Sequence, residues 1–210
     1  MKKLWGSIII CSILMIVSSG CSVFGIRSGY KQLSYSIIQK IEDVEIRQYS
    51  SRLVAEVNNI ETDNEAFRIL FRYISGQNKS KQNISMTAPV EVGKNSTKIA
   101  MTAPVETNKS EGEGFNMRFF LPSSLTIDNA PLPKDARIKI NILPEETFAA
   151  ITYSGFNSNK SFNKQTDKLL NILKNSNWKQ TSPPSFLGYD PPFAIPFLRK
   201  NEAIVKVDKK

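Results

Sequence analysis

The chain has no histidine and only two cysteines among its 210 residues. Without histidine, Ser-His-Asp and Cys-His nucleophilic systems and His-rich zinc sites are excluded. Cys11 and Cys21 both lie in the N-terminal stretch. The body of the chain therefore has no thiol for a disulfide staple, a zinc ribbon, a CxxC redox motif or an iron–sulfur cluster. No GxGxxG, Walker-type or HExxH motif is present. Asp, Glu, Lys, Tyr, Ser and Thr remain for any chemistry, and the fold must stand on its core alone.

The N-terminus has a recognisable pattern. Met1-Lys2-Lys3 precedes an apolar run from Leu4 to Val17, followed by Ser18-Ser19-Gly20-Cys21. A cationic start, an apolar centre and small residues before a cut site describe a bacterial secretory signal, here of lipoprotein type, with Cys21 as the acylated first residue. Ser18 stands where an aliphatic residue is usual. The competing reading, an uncleaved anchor, is disfavoured because a span normally needs about 20 apolar residues. The expected organisation is a signal over 1–20, a tether over 21–33 containing Gly25, Ser28 and Gly29, and one domain over 34–210. The expected location is the cell envelope, lipid-anchored at the outer membrane and facing the periplasm. Ser22, rather than Asp, after Cys21 agrees with that.

The formal charge is +9, and loss of Lys2 and Lys3 with the signal leaves +7. The basic residues are scattered among acids, and no base-reading helix stands out, so nucleic acid is not an expected partner. An anionic membrane surface or an anionic ligand suits this charge, as does simple solubility.

Six residues occur twice: Met86-Thr87-Ala88-Pro89-Val90-Glu91 and Met101-Thr102-Ala103-Pro104-Val105-Glu106. Each copy alternates at period two, and a polar stretch separates them, so the pattern predicts a hairpin with both methionines on its apolar face. Methionine packing is the simpler role for that face. Further strands are predicted at Tyr35–Lys40, Val44–Tyr49, Leu53–Val57, Phe115–Leu121, Arg137–Leu143, Thr147–Tyr153 and Ala203–Val207. Thr62 with Glu65 three residues on predicts a helix start, and Gly76 its stop. Phe162, Leu169, Leu170 and Leu173 mark one face of a second helix. Arg47, between apolar neighbours in a strand, is expected to pair with Glu45 or Glu202. Glu91 and Glu106 are candidates for a carboxylate pair, with Tyr73 or Tyr189 nearby, although glutamates at strand ends are usually solvated. The element order, strands–helix–strands twice over, predicts two similar α+β halves.

Several segments together resemble the SOUL haem-binding protein family. They are Val44-Glu45-Ile46-Arg47-Gln48-Tyr49, Tyr73-Ile74-Ser75-Gly76-Gln77-Asn78, both Met-Thr-Ala-Pro-Val copies, Phe119-Phe120-Leu121-Pro122, Gly188-Tyr189-Asp190-Pro191-Pro192 and Arg199-Lys200-Asn201-Glu202. The resemblance implies an α+β fold: a pseudo-duplicated, distorted β-barrel with two helices packed outside, similar to GyrI-like ligand-binding domains. It also implies haem or another tetrapyrrole held non-covalently in an apolar groove, with basic side chains meeting the propionates. Carried onto this chain, the groove residues are Phe67, Leu70, Phe71 and Arg72 on the first helix, and Phe193, Ile195 and Phe197 in the loop after Pro192. Ile195 stands where some relatives have lysine, and the axial histidine of some members has no counterpart. The alternatives are a binding module for another apolar or anionic small molecule and a small-molecule hydrolase.

Overall fold

A computed structural model of the chain describes residues 31–80, 82–85, 87–94, 114–156, 158–190 and 194–210. The signal, Cys21, most of the expected tether, Met86, the whole second repeat copy and Phe193 lie outside the described residues.

The chain runs β1 (Lys31–Gln32), β2 (Tyr35–Ile41), β3 (Val44–Tyr49), β4 (Arg52–Ile60), α1 (Asp63–Ile74), β5 (Thr87–Ala88), β6 (Val90–Lys94), β7 (Phe115–Phe120), β8 (Lys139–Leu143) and β9 (Glu146–Tyr153). It continues with α2 (Asn159–Lys174), β10 (Trp178–Gln180), β11 (Ser185–Gly188), a 3-10 turn (Pro196–Leu198) and β12 (Asn201–Lys209). One curled antiparallel sheet has the order β2-β3-β9-β12-β11-β6-β7-β4-β8, with β10 also on β12. Lys31 and Gln32, expected at the end of the tether, instead pair in parallel with Thr87 and Ala88.

The strand register reveals a duplication. β4 lies between β7 and β8, and β9 lies between β12 and β3. The units β3-β4-α1-β6-β7 and β8-β9-α2-β11-β12 therefore correspond element by element, and each contributes its first strand to the other's sheet. β6 and β11 meet at the centre.

α1 forms where expected, for local reasons. The Thr62 hydroxyl accepts the Glu65 amide at 3.1 Å, and Gly76, at φ +90°, takes the left-handed exit after Ser75. Its buried residues Ala66, Ile69, Leu70, Tyr73 and Ile74 repeat at three- and four-residue spacing, so one stripe faces the sheet. That stripe joins Ala55, Val57, Met117 and Phe119 in one core. α2 buries Leu169, Ile172 and Leu173 in a second core with Ile46, Ile151, Val205 and Trp178. Gly114 answers a close approach: a β-carbon there would sit 2.5 Å from the Asn59 backbone, at the bulge where Asn59 adopts φ 58°.

The expected hairpin between the repeat copies is corrected by the register. Val90–Lys94 pairs with Phe115–Phe120 on one side and Ser185–Gly188 on the other. Both edges of that strand are taken, so the second copy is not its partner.

Candidate functional site

The two helices cover different strands. α1 packs on β4 and β7, and α2 packs on β9, β10 and β12. The central strands β6 and β11 run between them on the same convex face. Val90 and Val92 lie on that face, since they pair with Phe119 and Met117 of the α1 core. Across the centre, Val92 pairs with Phe186 and Val90 with Gly188. All four are half-buried, whereas their inward neighbours Glu91 and Leu187 are buried. The result is an apolar strip that neither helix closes.

Aromatic side chains flank this strip. Phe67 and Phe71, one helical turn apart on α1, stack at 5.8 Å with 14° between their planes. Phe67 also meets Phe119 edge-on at 5.4 Å, which ties the pair to the strip. Both rings remain open to solvent, at 37% and 47%. On the other side, Phe162 of α2 meets Phe186 edge-on at 6.3 Å. Gly188 keeps the floor flat: a β-carbon there would lie 3.0 Å from the Phe186 ring. Arg68 and Arg72 are exposed on α1. Arg72 is close enough to Asp135 to help hold its carboxyl below the usual range, although hydrogen bonds from Arg137 do most of that.

The expected groove residues therefore separate. Phe67, Phe71 and Arg72 are on the open side of α1. Leu70 is fully buried in the core beneath the helix, where its side chain packs against the sheet. Ile195 is half-buried and Phe197 is exposed. Both belong to the 3-10 turn region just before Asn201, the residue that pairs with Gly188. Val90, Val92, Phe186 and Gly188 escaped sequence reasoning. Their role depends on register across two strands that are far apart in the chain.

The concave face of the sheet holds an apolar cluster of Val54, Phe120, Ala150, Leu187 and Ile204, with paired charges on either side of it. The Arg47 guanidinium donates to both Glu202 oxygens, at 2.9 and 3.1 Å, and to Glu45 at 2.9 Å. Glu202 also accepts from the Tyr189 hydroxyl at 2.7 Å and from Thr152 at 3.0 Å, with Lys200 3.1 Å away. Arg47 lies 4.3 Å from the Tyr35 ring centroid. A second cluster occupies the other half. Arg118 donates to Glu56 at 2.7 Å and lies 3.5 Å from Glu91, while Asn141 donates to Glu56 at 2.7 Å. The expected Arg47 pairing is present with both candidate glutamates. Glu91, expected in solvent, is buried against Arg118, and Glu106 lies outside the described residues.

Burial opposes ionisation of Glu202, but the hydrogen bonds and charge of Arg47 outweigh it and hold the carboxyl below the usual range. The same balance, with Arg118 as the partner, holds Glu56 low. Burial, reinforced by the Glu202 charge, pushes the Tyr189 phenol up, and burial pushes the Tyr49 phenol up to about 12. Glu202, with four donor groups around it, remains an ionised structural anchor rather than a free base. Tyr73, buried, donates to the Pro131 carbonyl at 2.7 Å.

The described residues fit the macrocycle and carboxylates of a tetrapyrrole better than its metal. The strip is apolar and flanked by aromatics, as a porphyrin macrocycle requires, while Arg68 and Arg72 on the outer side of α1 offer cations for carboxylates. The Tyr73 and Tyr189 hydroxyls are engaged elsewhere, and Met117 is buried in the α1 core. Among the described residues, no group of three His, Cys, Asp or Glu could hold a metal ion.

A curled sheet with two outer helices and an open apolar strip between them defines a ligand-binding type of domain. A family model described as SOUL heme-binding protein matches residues 30–97 and 92–206, and the chain belongs to that family, a family of binding proteins. The two matched segments overlap between the repeat copies. Comparison with curated proteins finds no match. Among solved structures, the EcmrR C-terminal domain is similar over 84% of this chain and 99% of its own, at 11% identity and TM-score 0.56. Against EcmrR in its complex with DNA, the chain spans 57% of that protein's length. A hydrolase from Listeria innocua is similar over 81% of this chain and 94% of its own, at 11% identity and TM-score 0.54. Identities this low establish the fold alone: a curled half-barrel of GyrI-like type.

Proposed function

We propose that this protein is a membrane-tethered tetrapyrrole-binding protein that lays the macrocycle on the strip between α1 and α2. The observation that carries the proposal is the open apolar strip with the stacked Phe67–Phe71 pair at its edge, in a member of a haem-binding family. Phe67 and Phe71 supply contact area, Arg72 meets a propionate, and Ile195 and Phe197 bound the end of the strip beside Gly188. Phe193, which precedes Ala194 in the sequence, is proposed as a further contact. Binding rests on apolar burial and carboxylate pairing rather than on histidine ligation, since the chain has no histidine. Acylated Cys21 holds the domain on the envelope membrane, at the outer membrane facing the periplasm. No catalytic role is assigned to it.

Hemin titration of the purified protein, followed at the Soret band, tests this. Saturable binding is expected. Phe71→Ala should weaken it about tenfold, from loss of roughly half of the 1.5–3 kcal/mol that one buried aromatic contributes. Iron-free protoporphyrin should bind within about threefold of hemin, because no strong axial ligand is invoked. Unsaturable binding, indifferent to Phe71→Ala and Arg72→Ala, would overturn the proposal.

A further inference from the structure

The two most exposed large apolar side chains among the described residues are Phe197, at 73%, and Phe156, at 67%. They are distant in sequence but adjacent in space. The Gly155 amide donates to the Pro196 carbonyl at 2.9 Å, and each phenylalanine directly follows one partner of that bond. Asn201 donates to the Gly155 carbonyl at 3.1 Å, and the Arg199 Nε donates to the Ala194 carbonyl at 2.8 Å. The two loops are thus fixed to the start of β12, and the rings project from a braced ledge.

The surroundings of the ledge are basic. The Arg199 guanidinium lies 5.8 Å from the Phe156 ring centroid, and Lys160 is exposed in the first turn of α2, whereas the Lys200 ammonium is turned to Glu202. Asp190 is the nearby acid, and its carboxylate accepts the Lys200 amide. Exposed aromatics beside cations match an anionic bilayer interface, where rings enter the headgroup boundary and cations meet lipid phosphates.

The position of the chain's start points the same way. Val90, Gly188, Asn201 and Tyr153 form one row across β6, β11, β12 and β9. Thr87 and Ala88, which carry β1, lie just beyond Val90 at that end, and Ser154 to Phe156 lie just beyond Tyr153. The chain therefore enters at Lys31 on the same end of these strands as the ledge. Cys21 and Lys31 are ten residue steps apart in the chain, a reach of at most about 35 Å.

We infer that the Phe156–Phe197 ledge docks into the anionic leaflet that holds the N-terminal anchor, which sets the end of the ligand strip against the bilayer. This rests on the membrane-tethered reading above. The test uses the Cys21-acylated chain, residues 21–210, in vesicles of phosphatidylethanolamine and phosphatidylglycerol, where buried Trp178 is the one native tryptophan and serves as an internal reference. Phe156→Trp and Phe197→Trp should each show blue-shifted emission, quenched about twofold or more by dibrominated phosphatidylglycerol. Emission from an Ile127→Trp control should be unaffected. Replacing the anionic lipid with phosphatidylcholine, dibrominated in the same proportion, should reduce the quenching at both positions. Unquenched emission at 156 and 197 in vesicle-bound protein would overturn the docking edge while leaving the anchor intact. Intact mass of protein extracted from its own membrane reports the anchor separately: absence of acyl mass on Cys21 would overturn the tether and the docking edge with it. Hemin affinity of Phe156→Ser should match the unsubstituted chain, since Phe156 is not part of the ligand strip.

Discussion

The two faces of the central sheet solve opposite problems. On the concave face, Arg47 reaches across β9 to Glu202 on β12, and Arg118 meets Glu56 on the adjacent strand, so each finds its counter-charge within the sheet. On the convex face, Val90, Val92, Phe186 and Gly188 lie between two helices that leave them half-covered. The Arg47–Glu202 and Arg118–Glu56 pairs on the charged face are satisfied from within. The apolar strip is the surface with contacts left to make. A buried charge is therefore poor evidence of function here, and an incompletely covered apolar strip is better evidence.

The largest expected effect comes from breaking a pair on the charged face. Arg47→Leu or Glu202→Ala alone should cost about 3–5 kcal/mol in urea denaturation, because each strands a buried partner. The double substitution Arg47→Leu with Glu202→Leu should be markedly milder than either single change, which a double-mutant cycle would measure. Neither should be needed for the shape of the strip.

Acid should act on the same face. Glu202 and Glu56 have folded-state pKa values below their ordinary values. Their contribution is thus fully present above the unfolded carboxylate pKa of about 4.3 and is lost as pH falls through the lower folded values. Denaturation midpoints measured between pH 7 and pH 3 should fall, and Glu56→Gln should flatten the acid side of that curve.

Changes on the strip should reverse the pattern. Phe67→Ala with Phe71→Ala should lower tetrapyrrole affinity by about 10- to 100-fold, at roughly 1.4 kcal/mol per tenfold. Because both rings are partly exposed, at 37% and 47%, their loss should lower the urea midpoint less than breaking the Arg47–Glu202 pair does. Arg72→Gln should have the smallest effect, about two- to fivefold in affinity, as an exposed ion pair contributes some 0.2–1 kcal/mol. That loss should shrink further at high salt.

Parts of this arrangement could be read along the chain because they are local. The α1 start needs only Thr62 and Glu65, and its stop needs only Gly76. Arg47 announced a counter-charge because arginine between apolar neighbours seldom goes unpaired. The repeat misled because alternation gives faces but no partners: Val90–Lys94 takes β7 and β11 instead of the second copy. Two short strands, Trp178–Gln180 and Ser185–Gly188, were missed beside prolines 183, 184, 191 and 192, yet the second of them is central to the sheet. Glu91 was expected in solvent because its burial depends on Arg118, which arrives from a different strand. The strip itself is a product of topology. It exists because the duplication brings β6 and β11 together between helices that cover their outer neighbours.

Methyl NMR with protoporphyrin IX tests the contrast between the two faces most directly, because the macrocycle's ring current shifts only the methyls it lies against. Val90 and Val92 on the convex strip should shift strongly, while Val54, Leu187 and Ile204 within the concave face should stay in place. Strong shifts at Leu187 and Ile204 with Val90 and Val92 unmoved would put the ligand on the charged face and contradict the account.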